Sequence, residues 1–126
     1  MNRVSIKNFF LYIVPPFLYA GLVFYLSSLP SWKIKAVSSF PDYLLHFAEY
    51  AVFAFLALRL LKYTGKGIVR PKKYLFIIII LALFAASDEW HQSFVPGRFA
   101  TFWDFAADFL GIAAVSGIYY IYHKYK

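Results

Sequence analysis

Ten polar side chains carry the chemistry that this sequence has to offer: Asp42, His46 and Glu49; Asp88, Glu89, His91 and Gln92; Arg98; and Asp104 and Asp108. Their spacing is helical. Asp42, His46 and Glu49 recur at i, i+4 and i+7, with Tyr50 and Phe53 continuing beside them. Asp104, Asp108 and Gly111 repeat that spacing, and Asp88, His91 and Gln92 follow the i, i+3, i+4 version. Three such stripes predict three helix faces that meet around a shared cavity, with Arg98 as the nearby cation in a connecting turn.

Two kinds of chemistry fit these residue types. In the first, the stripes form a binding site. The fork of Arg98 meets a phosphate or carboxylate bidentately, and the remaining side chains complete the contacts. In the second, the groups act on a substrate. His46, Glu49, His91 and Asp104 are candidate ligands for zinc or another divalent metal with an open water position. Glu49, Asp88 and His91 are the candidates for general acid–base work without one. The spacing H-x-x-E at His46 and Glu49 is common and no H-E-x-x-H is present, so binding leads and a metal-assisted hydrolase is the alternative. Helix packing by buried polar pairs, Arg98 with Asp104 or Glu89, is the plainer structural reading. A proton-coupled transporter ranks last, because the other half of each apolar segment has no matching polar path. The chain has no cysteine, which excludes a disulfide framework, a thiolate metal site and a cysteine nucleophile.

The elements that must position these groups are apolar. Of the 126 residues 62% are hydrophobic, more apolar surface than a soluble fold of this size could cover. Four segments of membrane length stand out, from about Phe9 to Leu29, Tyr43 to Leu61, Tyr74 to Asp88 and Phe102 to Tyr122. Runs of ~20 residues cross a bilayer core as helices, and lipid-exposed irregular backbone would leave its polar groups unpaired. The first run contains Pro15 and Pro16 and ends in YLSSLP without a small-x-small cleavage site, so it reads as a retained, kinked helix rather than a signal peptide. Gly21, Ser27 and Ser28 suit close packing on a neighbour.

Positive charge sets the expected orientation. With the N-terminus cytoplasmic, the inside carries Arg3, Lys7, Arg59, Lys62, Lys66, Arg70, Lys72, Lys73, Lys124 and Lys126, and the outside only Lys33, Lys35 and Arg98. KYTGKGIVRPKK is then an inner hairpin with Gly65, Gly67 and Pro71 as its turn material. The formal charge of +7 is explained by anionic headgroups beside these segments rather than by nucleic acid. All six carboxylates fall in the outer half. Helix rise puts Glu49 ~20 Å above Lys62, Asp88 ~22 Å above Lys73 and Asp108 ~24 Å above Lys124, all short of the ~30 Å needed to clear the hydrocarbon. Groups at that depth are expected to face one another or a water-filled cleft.

SDEWHQSFVPGRFATFWDFAADFLG resembles the signature of the VanZ-like membrane protein family: DE-x-HQ, then PGR, then an aspartate, then Asn and Gly one and two turns further on. Asp88, Glu89, His91, Gln92, Pro96, Gly97, Arg98, Asp104 and Gly111 match that pattern. FPDYLLHFAEYAVFAFL fits the family's D-x-x-x-HF-x-x-Y through Asp42, His46 and Tyr50, and YLSSLP resembles its serine-rich end of the first helix. The resemblance covers most of the chain. Asp108 departs from it, standing where asparagine is expected and adding a negative charge.

The resemblance implies a single four-helix transmembrane domain over residues 1–126, all-α, in the bacterial plasma membrane. Both termini are expected in the cytoplasm and the polar cluster outside. The family's founding member is associated with resistance to teicoplanin, a glycopeptide antibiotic with a lipid tail. The expected partners are therefore membrane lipids and a lipid-linked envelope component or lipoglycopeptide, with no nucleic acid. No cofactor is expected unless the hydrolase alternative holds. Oligomeric state leaves no trace in the sequence.

Overall fold

Two consecutive prolines inside an apolar run remove two backbone donors and crowd the preceding turn with their rings. The chain answers with a widened turn. In the computed structural model, which describes residues 5–67 and 70–126, helix α1 runs from Ile6 to Ser27. Its Phe9–Ile13 segment is π-helical, closed by the Val14 N–H donating to the Phe9 carbonyl. Such single π turns absorb a local misfit without ending the helix. The expected disturbance at Pro15 and Pro16 thus takes the form of a widened turn just ahead of them.

Three further long helices follow: α3 (Asp42–Thr64), α4 (Pro71–Gln92) and α5 (Phe102–Lys124). With α1 they are long and apolar enough to cross a membrane, and there is no strand among the described residues. Pro71 opens α4 at a position where its missing N–H costs no helical bond. The Thr101 hydroxyl caps α5 by accepting from the Asp104 N–H at 3.2 Å. Asp42 and Asp104 sit in the first turns of α3 and α5, where negative charge meets the positive end of the helix dipole. A short helix, α2 (Ser31–Val37), lies between α1 and α3. It falls between the first two apolar segments, in a stretch to which the sequence reading assigns no element. Of the expected hairpin KYTGKGIVRPKK, residues 68 and 69 lie outside the described residues, as does Arg3.

The core is small and mostly aliphatic or aromatic. Val23, Tyr50, Phe53, Ala54, Ala57, Leu81, Ala85 and Ile112 form one buried cluster. Phe53 and Phe84 meet edge to face at 5.2 Å between centroids. At Gly111 the backbones of α3 and α5 come almost into contact. A Cβ at Gly111 would run into the carbonyl of Phe47 and stand 3.1 Å from the amide nitrogen of Ala51. Only a glycine leaves room for that approach. Most large apolar side chains outside the core, among them Phe17, Leu18, Leu83, Leu110 and Ile118, are exposed, as expected of helices whose outer faces meet lipid.

Candidate functional site

All six carboxylates lie toward one end of the bundle, where α1 and α4 finish and α3 and α5 begin. The crossing at Gly111 explains how they meet. Asp108 lies three residues before Gly111 and His46 is the neighbour of Phe47, so the close approach of α3 and α5 brings those two side chains together. The His46 Nδ1–H donates to Asp108 Oδ1 at 2.8 Å. Glu89 of α4 adds a second carboxylate, with Oε1 3.6 Å from the same nitrogen. Beside them the Tyr50 hydroxyl donates to Asp88 Oδ2 at 3.1 Å.

These groups are buried: His46, Asp88, Glu89 and Asp108 are all under a tenth exposed. Yet several of their oxygens have no hydrogen-bond partner among the described residues, namely Asp88 Oδ1, both oxygens of Glu89 and Asp108 Oδ2. No lysine or arginine pairs with a carboxylate among the described residues, the ion pairs there being those of His46. The structural pairing expected of Arg98 with Asp104 or Glu89 is therefore replaced by another contact. Arg98 Nη1 donates to the Leu29 carbonyl at 3.3 Å and ties the turn after α4 to the end of α1.

A cavity of about 720 Å³ opens directly above the buried set. Asp42, His46 and Glu49 of α3, Gln92 at the end of α4, Arg98 in the turn and Asp104 of α5 all line it. The six come from three helices and one loop, and they bring both signs of charge to one space. Residues without a place in the sequence-based set join them. Tyr19 and Ser27 of α1, Ser31 and Lys35 of α2, and Thr101 ahead of α5 also face the cavity. Tyr19 is further fixed by its hydroxyl donating to the Glu49 carbonyl at 2.9 Å. Ser31 and Lys35 are one turn apart on α2, so the short helix walls the cavity with one face. Gly97, at φ 74°, presses against that helix: a Cβ there would stand 2.8 Å from Ser31 Oγ.

His91 takes a different direction. Successive helical residues turn by roughly 100°, so a face that holds Ala85, Asp88, Glu89 and Gln92 carries His91 to one side. Its ring stacks on Phe24 at 4.5 Å, and Nε2 shares a 2.9 Å hydrogen bond with Ser28 Oγ, both on the α1 side. His46 and His91 thus have separate partners. Among the described residues, the donor group close enough to hold one ion consists of His46, Glu89 and Asp108, where spacing alone suggests His46, Glu49, His91 and Asp104. Asp108 and Glu89 lie beneath the cavity rather than on its wall, and Asp88 is held with them by Tyr50.

Tyr50 is the residue whose role the sequence signalled least. It lies on the stripe of Asp42, His46 and Glu49, but an aromatic there reads as core, and only the position of Asp88 on another helix turns its hydroxyl into a partner. Lys35 and Ser31 gave no periodic signal because α2 is too short to show one.

The description VanZ/LLP1 belongs to a family model that matches residues 9–123 of the chain. No curated protein and no solved structure matches it.

Proposed function

The chain belongs to the VanZ-like family, and from that premise we propose that it is a binding protein of the bacterial plasma membrane whose cavity opens outward and takes the polar head of an amphiphile. The candidates are a lipid headgroup, a lipid-linked envelope precursor and a lipoglycopeptide of the teicoplanin type. The orientation rests on the excess of lysine and arginine at the opposite end of the bundle, which the positive-inside rule assigns to the cytoplasm.

The observation that carries the reading is the cavity itself. Its volume of about 720 Å³ is that of a small-molecule site. Its wall offers Arg98 and Lys35 for a phosphate or carboxylate, and Asp42, Glu49 and Asp104 for an amine or hydroxyls. Around the same end Trp32, Trp90, Phe94, Phe99, Phe102 and Trp103 stand exposed. Aromatic side chains of this kind settle at the membrane–water boundary. A ligand with a polar head and an acyl tail would find its two halves served by the cavity and by the surrounding lipid.

Binding of phosphatidylglycerol, a polyprenyl phosphate and teicoplanin to the protein in nanodiscs tests this, with wild type compared against Arg98→Ala and Lys35→Ala. The expected result is saturable binding of at least one of them, weakened roughly tenfold or more by Arg98→Ala, in line with the loss of a charge-assisted fork. Equal binding by wild type and both variants, or binding of none of the three, sinks the proposal.

A further inference from the structure

The buried floor of the cavity carries more negative charge than its surroundings answer. Glu89 is 7% exposed and neither of its carboxylate oxygens has a hydrogen-bond partner among the described residues. Asp108 is fully buried, with Oδ2 equally without one. Asp88 adds a third carboxylate alongside, and among the described residues the one basic group in contact with the set is the imidazole of His46. Polar atoms this deep are normally paired, and an uncompensated charge is costlier still. Both oxygens of a single glutamate left open toward a histidine and an aspartate mark a place for a positive ligand.

The distances say how large that ligand is. Donors held at ~2.0–2.2 Å from one metal ion, as imidazole nitrogen and carboxylate oxygen are, stand roughly 3–3.6 Å from each other. His46 Nδ1 is 2.8 Å from Asp108 Oδ1 and 3.6 Å from Glu89 Oε1, and donor atoms of all three residues lie within 4.8 Å of one another. Small side-chain rotations would bring them around a common centre. The ion has a way in, because His46 also lines the cavity.

We propose that His46, Glu89 and Asp108 form a divalent-cation site beneath the cavity, with one imidazole nitrogen and two carboxylates as protein ligands. One nitrogen and several oxygens suit Zn²⁺ or Mn²⁺ better than Ca²⁺ or Mg²⁺, which prefer oxygen throughout. Coordination through Nδ1 takes the lone pair of that nitrogen: in a neutral imidazole the proton now given to Asp108 passes to Nε2, and in an imidazolium it leaves to solvent, so that Nε2 carries the one N–H in either case. Asp88, fixed by Tyr50, adds negative charge next to the ion without belonging to the close donor group. The site stands independently of the head-group reading, since its ligands are deeper than Arg98 and Lys35.

Metal content decides the matter. The full chain, purified in nanodiscs from medium supplemented with zinc and manganese, is expected to carry about one ion per chain by mass spectrometry. After chelation, titration with ZnCl₂ or MnCl₂ is expected to saturate and to raise the unfolding temperature followed by tryptophan fluorescence. His46→Gln, Glu89→Gln and Asp108→Asn should each lose stoichiometric binding, whereas His91→Gln should keep it. If those variants do not fold, pulsed electron paramagnetic resonance of the Mn²⁺-loaded wild type keeps the question open to refutation: coupling to a single imidazole nitrogen is expected. A wild type with no ion and no saturable titration overturns the site. So does retention of the ion by folded Glu89→Gln and Asp108→Asn, loss of it in His91→Gln, or a manganese signal without nitrogen coupling. Lipid binding measured on the chelated protein separates this result from that of the head-group proposal.

Discussion

His46 and Asp108 are 62 residues apart in the chain and 2.8 Å apart in space. Their contact is set by backbone rather than by side chains, because Gly111 lets α5 rest against the carbonyl of Phe47. The position of the buried acidic set therefore depends on a residue that takes no part in its chemistry.

A methyl group at residue 111 would have to displace backbone, which no rotamer change can relieve. Gly111→Ala is expected to destabilise the protein by about 1–3 kcal/mol and to push Asp108 away from His46. Thermal unfolding in detergent measures the first effect. The second appears as a changed His46 imidazole resonance in the variant. An unfolding temperature equal to wild type would show that the crossing has slack.

Tyr50 is fully buried and its hydroxyl donates to Asp88 Oδ2. Tyr50→Phe keeps the ring and its place among Phe53 and Phe84, but leaves that carboxylate oxygen without its donor. The expected cost is about 1–3 kcal/mol, measured by thermal unfolding. Tyr50→Phe/Asp88→Asn should recover part of the loss, because the charge that needed the hydroxyl is then gone. No recovery in the double variant would mean that the two residues are not coupled.

Orientation has a direct readout, since the chain has no native cysteine. A single cysteine in place of Lys33 is expected to react with an impermeant maleimide in whole cells, and one in place of Lys66 only after the membrane is opened. The reverse pattern would turn the cavity toward the cytoplasm and end the proposal of an outward site.

Much of this architecture was legible because it follows from the lipid solvent. Membrane-length apolar runs must be helices, and a stripe of polar residues at helical spacing must find a common face. The four spanning segments are read from that alone, although α3 and α4 extend past the apolar limits, to Thr64 and Gln92. The disturbance at Pro15 and Pro16 was legible too, but its form was not, since a π turn and a kink answer the same missing donors. Directions around each helix were harder. His91 shares the i+3 spacing that usually keeps side chains together, yet it turns to Ser28 and Phe24, because the face of α4 is centred on Glu89 and Asp88. The partner of Arg98 was out of reach as well. Nothing in the sequence marks the carbonyl of Leu29, which is offered only because α1 has ended there. Short α2 carries too few residues for a period to emerge.

The tether between Arg98 and Leu29 also says why this position holds an arginine. A guanidinium has five N–H groups in a rigid plane, and here one nitrogen serves the carbonyl while the side chain still lines the cavity. The two tasks point in different directions, and a planar fork can face both ways at once. An ammonium concentrates its charge at a single point on a flexible stem. Lysine at this position would have to choose between fastening the turn and greeting a ligand.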